Sequence, residues 1–169
     1  MKIFQRNNTE IQLFNDNSLF KKVVFASVGG FIAIAIISFL ANYSGYPLIM
    51  GSFGASCVLL FGYPESPFSQ PKNVIAGHLL STFIGLSFLH FVGPQWWSMA
   101  LALSVALGFM IATETVHPPA GSNPLIVFLA NADWSFLIMP SFIGSIALLT
   151  VALVFINISS KRSYPKSWF

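Results

Sequence analysis

The chain has 169 residues, of which 8% are charged and 55% are hydrophobic, and its mean hydropathy is +0.74. A soluble domain carries roughly 25% charged residues, so this composition excludes an ordinary soluble protein and indicates an integral membrane protein. The formal net charge of +3 comes from basic residues near the two ends of the chain, which is not the footprint of a nucleic-acid-binding protein. By the positive-inside rule, both termini are predicted to be cytoplasmic, with an even number of crossings of the cell inner membrane.

Residues 1–22 are predicted to form a cytoplasmic or interfacial segment, with a disordered tail as the alternative. Polar residues interrupt them, so they do not resemble a signal peptide. Residues 23–158 are predicted to form a single transmembrane domain, and residues 159–169 a cytoplasmic tail. Within that tail, Tyr164 and Trp168 are expected at the membrane interface. The lone cysteine, Cys57, is most simply a packing residue in an apolar run.

Three long stretches of the chain contain no charged residue, and each can hold at least one span of about 20 apolar residues. The predicted fold class is therefore an all-α membrane protein with four long transmembrane helices and two short, broken or re-entrant segments. The long helices are expected at about 23–41, 73–91, 98–112 and 136–158, and the short segments at about 46–62 and 124–130. In the second long helix, Gly77, Ser81 and Gly85 are spaced four apart, which predicts a close packing stripe.

The order of long, short and long segments occurs twice, which predicts an internal duplication. An offset of 67 residues places Gly54 on Gly121 and Gly77 on Gly144, so the repeats are expected at about 23–91 and 96–158. If the short segments cross the membrane the repeats are inverted, as in many transporters, and if they re-enter the repeats are parallel. Crossing is favoured, because Lys72 would then be cytoplasmic.

The most unusual stretch is 113–125, which holds an acid, a histidine and three prolines between apolar segments. The His-Pro-Pro triplet at 117–119 favours extended backbone, and Gly121 permits unusual dihedral angles. Asn123 before Pro124 predicts a helix N-cap with proline at the first helical position. At membrane depth such backbone is tolerated only inside protein or beside a water-filled cavity. The alternative is a surface loop between two membrane helices.

The two short helices would direct free N–H groups and a partial positive charge at a common pocket near the bilayer midplane. That arrangement predicts an anion site, although small residues there could simply allow the backbones to cross. The predicted substrate-binding residues are Ser52, Gly54, Ser56, Lys72, Asn73, His78, His117, Gly121, Ser122 and Asn123.

Glu114 and His117 are predicted to couple or relay a proton, because a carboxylate in the membrane suggests function and histidine titrates near neutral pH. The alternatives are a solvated helix end for Glu114 and a turn-stabilising hydrogen bond for His117. For His78 the alternative is a satisfied histidine between helices, and for Lys72 it is simple interface anchoring.

Signals for an enzyme are weak, since the chain has no Walker motif and no His-Glu-x-x-His motif. The prediction is no enzymatic activity, no cofactor and no metal site. Gly54-Ala55-Ser56-Cys57 approaches the Gly-x-Ser-Gly pattern of rhomboid proteases without its last glycine. An intramembrane serine hydrolase using Ser56, with His117 as base, is therefore a minor alternative.

Three sequence blocks resemble the HPP family of small integral membrane proteins, and the match runs from about Pro47 to Leu125. The blocks are Gly51-Ser52-Phe53-Gly54-Ala55-Ser56, Gln70-Pro71-Lys72-Asn73 with Gly77-His78, and Thr113-Glu114-Thr115-Val116-His117-Pro118-Pro119-Ala120-Gly121. The resemblance implies four transmembrane helices and nitrite transport, which is associated with cyanobacterial and chloroplast members. It also implies that Lys72 and His78 matter, because the family often has a basic residue and a histidine there. Many members have smaller or less polar residues in place of Ser122-Asn123, a difference that bears on substrate preference.

The predicted function is a transporter or channel for a small inorganic anion, nitrite first, embedded in the lipid bilayer. A bundle this small cannot easily enclose a path alone, so a homo-oligomer is expected. The alternative is a non-transporting membrane protein that assembles with a partner.

Overall fold

The computed structural model describes residues 16–159 and 163–168, and all the regular secondary structure in them is helical. The α-helices are α1 (Asp16–Ser44), α2 (Ser52–Cys57), α3 (Pro71–Ser87), α4 (Trp96–Ala112), α5 (Asn123–Leu129) and α6 (Ile143–Ser159). π-Helical turns extend α2 over Val58–Gly62 and α3 over Phe88–Val92, and another precedes α6 over Leu137–Phe142. Two 3-10 turns lie at Pro67–Ser69 and Pro118–Ser122.

Three described helical segments are long and apolar enough to cross a membrane, namely Leu19–Ser44, Pro71–Val92 and Leu137–Ser159. They correspond to the first, second and last predicted long helices. The third predicted long helix is α4, which has 17 residues and is one of the shorter apolar helices. At a rise of 1.5 Å per residue it is about 26 Å long, less than a hydrocarbon core of about 30 Å. The all-helical class is confirmed, whereas a set of four long helices is not found.

Both predicted short segments are interrupted as expected. Residues 47–50 are non-helical before α2, and the 3-10 turn Pro118–Ser122 precedes α5. The helix α1 begins at Asp16, so it includes the end of the predicted interfacial segment. Residues 1–15 of that segment lie outside the described residues.

Helix α3 is central to the fold and packs against α4, α5, α6 and both 3-10 turns. Its predicted stripe of small residues is confirmed, because the stretch 115–124 packs directly against this stripe. A Cβ atom on Gly77 would lie 2.8 Å from the Cβ of His117, and one on Gly85 would lie 2.8 Å from the first turn of α5. Between them, the Ser81 hydroxyl donates to the Ala120 carbonyl at 2.6 Å. Only residues this small allow the two backbones to approach so closely.

The main apolar core lies between α1, α2 and α6, and includes Ala33, Ile37, Phe53, Leu60, Phe61, Leu148, Ala152 and Ile156. The outer side of α1 carries large exposed apolar side chains, among them Phe31 and Phe39. A helix that exposes such residues in this way is well suited to contact lipid.

Residues 163–168 fold back onto the segment before α3. The Tyr164 hydroxyl donates to the Ser69 carbonyl at 2.5 Å, and Gln70 Oε1 accepts from the Lys166 backbone N–H at 2.8 Å. The side-chain amide of Asn157 in α6 donates to the Tyr164 carbonyl and accepts from the Tyr164 backbone N–H. Tyr164 is therefore buried, and burial raises the pKa of its hydroxyl. Trp168 is half exposed.

Candidate functional site

A cluster of buried polar side chains lies where α2, α3 and the stretch before α5 meet. We call Ser56, His78, His117 and Asn123 the His–Ser–His cluster, and each of the four is 0% exposed. Ser56 comes from α2, His78 from α3, His117 from the residue before the second 3-10 turn, and Asn123 from the start of α5. All four are among the predicted site residues.

The Ser56 hydroxyl bridges the two histidines. Its Oγ lies 3.1 Å from His78 Nε2 and 2.9 Å from His117 Nε2. The imidazole rings are 4.9 Å apart between centroids and meet edge to face at 68°. One hydroxyl therefore connects two rings that are 39 residues apart, from position 78 to position 117.

The contact of His117 with Phe68 fixes its tautomer. His117 Nδ1 lies 2.7 Å from the Phe68 carbonyl oxygen. A carbonyl only accepts hydrogen bonds, so the proton of the neutral ring is on Nδ1 and Nε2 is an acceptor. Ser56 consequently donates its hydroxyl proton to His117 Nε2.

Asn123 fixes the opposite tautomer in His78. The Asn123 amide nitrogen lies 3.0 Å from His78 Nδ1 and 3.2 Å from the His78 carbonyl oxygen. With the amide turned over, its oxygen would face that carbonyl oxygen, so the nitrogen is assigned to this position. His78 Nδ1 therefore accepts, and Nε2 carries the proton and donates to Ser56. Hydrogen bonds thus run in one direction, from Asn123 through His78 and Ser56 to His117 and Phe68.

Two further residues that the sequence analysis missed support this cluster. Thr82 Oγ1 accepts from the Asn123 amide at 2.9 Å, and Ser141 lies 3.0 Å from Thr82 Oγ1 and 3.1 Å from the His78 carbonyl. Thr82 follows His78 by four residues on the same face of α3, a spacing that could have indicated it. No local pattern indicates Ser141 or the Phe68 carbonyl, because both are brought in by tertiary packing.

Two buried polar atoms beside these contacts have no hydrogen-bond partner within the described part of the chain. They are the hydroxyl of Ser52 and the amide oxygen of Asn123. A buried polar atom without a partner costs about 1–3 kcal/mol. The Ser52 hydroxyl can donate or accept, and the amide oxygen can only accept, so both atoms could hydrogen-bond to a small polar ligand.

Asn73 and Lys72 lie at the start of α3, and Asn73 joins α3 to the chain before His117. Its amide nitrogen donates to the Val116 carbonyl at 2.9 Å and lies 3.4 Å from the Glu114 carbonyl. Lys72 is partly buried beside it. Glu114 itself is exposed and has left-handed backbone geometry with φ of 55°. The structure therefore does not bring the Glu114 side chain into the His–Ser–His cluster.

The remaining predicted residues lie around the short helices. Gly54 is exposed with open space at its Cβ position, and Gly121 has open space there too and lacks left-handed geometry. Ser122 donates to the Pro119 carbonyl at 2.8 Å. The predicted N-cap role of Asn123 is wrong, because Ser122 is the N-cap of α5 and makes no side-chain cap bond. The amide of Asn123 binds His78 instead, so a tertiary contact replaces the local one.

The beginnings of the two short helices do meet, because α2 contacts the 3-10 turn that leads into α5. The cluster between them contains neutral polar groups. In the described ranges, no three His, Cys, Asp or Glu residues are grouped closely enough to hold a metal ion. This arrangement can form hydrogen bonds to a small ligand, and one of its histidines can take up a proton.

Apolar helices of membrane-spanning length, packed around a buried polar cluster, define an α-helical membrane protein. The transmembrane region of the HPP family matches residues 16–165, so the chain belongs to the HPP family. This confirms the resemblance seen in the three sequence blocks.

Two transmembrane proteins of Dictyostelium discoideum are similar to the chain. One is 35% identical over 153 residues, which cover 85% of this chain and 54% of that protein. The other is 33% identical over 149 residues, which cover 83% of this chain and 48% of that protein. The chain thus spans about half the length of these curated relatives. No solved structure matches it.

Proposed function

We propose that the chain is a transmembrane transporter or channel for a small inorganic anion, with nitrite as the first candidate. The observation that carries this proposal is the hydroxyl-bridged histidine pair, buried completely inside an apolar bundle. Polar and ionisable groups are costly within a membrane and typically mark substrate or ion pathways. Membership of the HPP family is consistent with membrane transport.

The proposed anion position is beside Ser52 and Ser56, where α2 meets the turn before α5. Ser52 offers a buried hydroxyl without a partner, which could donate to an anion. Lys72, at the start of α3, could attract the anion toward the entrance. Gly121 and Ser122 belong to the turn that contacts α2, and both are therefore part of the proposed site.

We also propose that the fold consists of two inverted repeats, each with three segments. A Cβ atom on Gly77 would lie 3.0 Å from the Thr115 carbonyl oxygen, and one on Gly144 would lie 2.5 Å from the Leu48 carbonyl oxygen. Both the glycines and the carbonyls are related by the same offset of 67 residues. In each repeat, the long helix that carries the glycine therefore packs against the residues that lead into the short helix of the other repeat. This reciprocal packing supports an exchange of elements between two related halves.

Crossing short segments would give six spans, with both termini cytoplasmic in the inner membrane. The basic residues near the ends of the chain support this orientation. Assembly into a homo-oligomer would supply the surface that so small a bundle lacks for enclosing a path.

Nitrite uptake into proteoliposomes tests the proposed function. We expect His117→Ala, Ser56→Leu and Gly121→Leu to reduce uptake, because each alters the wall of the proposed site. Thr150→Val is the matched control, since Thr150 is an exposed residue of α6 whose hydroxyl donates to the Ile146 carbonyl of the same helix at 2.8 Å. If all three site variants take up nitrite as fast as the unaltered protein, the site assignment is contradicted. No uptake by the unaltered protein, together with a tightly co-purifying protein, would favour a non-transporting partner protein instead.

The distance of 2.9 Å between Ser56 Oγ and His117 Nε2 also fits the nucleophile and base of a serine hydrolase. Two features weigh against this second candidate. Ser56 is 0% exposed, and His117 Nδ1 faces a backbone carbonyl where hydrolases usually place a carboxylate. A serine-reactive probe separates the two functions, because a hydrolase would be labelled and Ser56→Ala would lose the label, whereas a transporter would never be labelled.

A further inference from the structure

The Ser56 hydroxyl has two acceptors within reach and a single proton to donate. His117 Nε2 lies 2.9 Å from its Oγ, and the carbonyl oxygen of Ser52, one helical turn earlier, lies 3.2 Å away. With neutral histidines, the proton points to His117 Nε2, because that atom is the acceptor of its ring. The Ser52 carbonyl then keeps only its ordinary helical bond.

Protonation of His117 reverses one bond and breaks none of the others. The imidazolium donates from Nε2 to Ser56 Oγ and continues to donate from Nδ1 to the Phe68 carbonyl. Ser56 Oγ has two lone pairs, so it can accept from both histidines while its proton turns to the Ser52 carbonyl. A rotation of one hydroxyl therefore accommodates the added charge, and both N–H groups of the imidazolium remain hydrogen-bonded.

His78 is not equivalent to His117, because its second nitrogen is already occupied by a donor. A proton added to His78 Nδ1 would face the hydrogens of the Asn123 amide at 3.0 Å. A second positive charge would also lie in a ring 4.9 Å from the first. The pair should therefore take up one proton, and His117 should hold it.

Few other titratable groups face His117 in the described residues. On α3, His78 contacts the ring, and Lys72 lies in the first turn of the helix, more than one turn before His78. Glu114 is exposed. On α2, the Cβ of Cys57 packs against Gly30 of α1, 3.8 Å from the position a Cβ would take there. The first 3-10 turn contributes the Phe68 carbonyl, which does not titrate.

We propose that the His–Ser–His cluster binds one proton, on His117 Nε2, and that this proton is the coupling ion of anion transport. In this scheme the Ser56 hydroxyl donates to His117 Nε2 when His117 is neutral and to the Ser52 carbonyl when His117 is protonated. Asn123 is a positioning residue that keeps His78 neutral. The inference rests on the proposed function. The imidazolium supplies the positive charge that the anion requires beside side chains that are otherwise neutral. One proton and one anion then move together, so the cycle carries no net charge.

Proteoliposomes that report both nitrite uptake and internal pH test the coupling, with protein-free liposomes correcting for passive entry of nitrous acid. We expect about one proton to enter with each nitrite, and we expect uptake to be independent of a membrane potential set by potassium and valinomycin. Uptake without internal acidification, driven by the potential, would overturn the inference while leaving anion transport intact. No uptake would overturn the proposed function itself.

Ser56 variants test the bridge directly. Ser56→Ala removes the group that accepts from the imidazolium, and the loss of a hydrogen bond to a charge predicts a fall in proton-coupled uptake of about tenfold or more. Ser56→Thr retains a hydroxyl and should retain coupling. Ser145→Ala is the control, because Ser145 is also fully buried and its hydroxyl donates to the Phe142 carbonyl at 2.8 Å, outside the cluster. Equal loss in Ser56→Ala and Ser145→Ala would indicate a structural role only and would overturn the assignment.

Nitrogen-15 NMR of the histidine rings provides a readout that does not depend on transport. Near neutral pH we expect the Nδ1–H tautomer for His117 and the Nε2–H tautomer for His78. On acidification the His117 ring should become doubly protonated first and alone, and Asn123→Asp should allow His78 to become protonated as well. If both rings of the unaltered protein titrate together, or if His78 titrates first, the single-proton assignment is wrong, whatever the flux assay shows.

Discussion

Gly77 lies directly against His117, so that a Cβ atom on Gly77 would stand 2.8 Å from the Cβ of His117. This contact holds the extended residue His117 against α3, in the position where its ring reaches Ser56. Any side chain at position 77 would push His117 away from the serine hydroxyl. The small-residue stripe of α3 is therefore part of the site as well as part of the packing.

We expect Gly77→Ala to destabilise the protein by about 1–3 kcal/mol, because overpacking at a rigid contact forces the backbone to shift. Nitrite uptake should fall with it. Gly108→Ala is the matched control, since Gly108 lies in α4 with open space at its Cβ position. That replacement should be neutral or stabilising by up to about 1 kcal/mol. Thermal unfolding in detergent measures both, and equal melting temperatures for the two variants would contradict this account.

Much of the fold could be predicted from the sequence because its patterns are local. The apolar runs predicted the helices, the stripe at positions 77, 81 and 85 predicted close packing, and the His-Pro-Pro triplet predicted extended backbone at His117, which has φ of −131° and ψ of 98°. The status of α4 was less predictable, because its residues are apolar enough for a span but its 17 residues are fewer than a span requires.

The candidate site was predictable in its members and not in its connections. Ser56, His78, His117 and Asn123 were all predicted, yet no sequence pattern shows that one hydroxyl joins both histidines. Asn123 illustrates the reason, since its local context favours an N-cap and its actual hydrogen bonds go to α3. Likewise, the Phe68 carbonyl is a backbone atom, and the residue type at position 68 gives no indication of its role.

Tyr164 should influence His117 although it does not contact it. Its hydroxyl holds the Ser69 carbonyl at 2.5 Å, and the neighbouring Phe68 carbonyl receives His117 Nδ1–H. We expect Tyr164→Phe to cost about 1 kcal/mol of stability, the value of one hydrogen bond, and to reduce nitrite uptake. Tyr43→Phe serves as the control, because Tyr43 is 82% exposed. Unchanged uptake and melting temperature in Tyr164→Phe would show that the tail does not support the site.

Glu114 offers a test of whether its carboxylate or its backbone matters. Its φ of 55° lies in the left-handed region, which costs a non-glycine residue about 1–2 kcal/mol. We therefore expect Glu114→Gly to be at least as stable as the unaltered protein and to retain nitrite uptake, while Glu114→Ala keeps the strained backbone. Loss of uptake in both Glu114→Gly and Glu114→Gln, with folding intact, would instead place the carboxylate in proton coupling.

Asn73 connects the start of α3 to the chain that delivers His117, and its amide donates to the Val116 carbonyl at 2.9 Å. We expect Asn73→Ala to destabilise the protein by about 1 kcal/mol, because that carbonyl loses its donor. Asn73→Asp should be less stable than Asn73→Ala at neutral pH, since an ionised carboxylate would face the carbonyl oxygens of Val116 and Glu114.

The pH dependence distinguishes these two replacements. The carbonyl oxygens favour the protonated acid in the folded state of Asn73→Asp, so its stability should be greatest at low pH and should fall as the pH rises and the acid ionises. The difference between Asn73→Asp and Asn73→Ala should therefore shrink on acidification, as measured by unfolding in detergent at a series of pH values. A difference that stays constant with pH would mean that the side chain at position 73 does not contact those carbonyls.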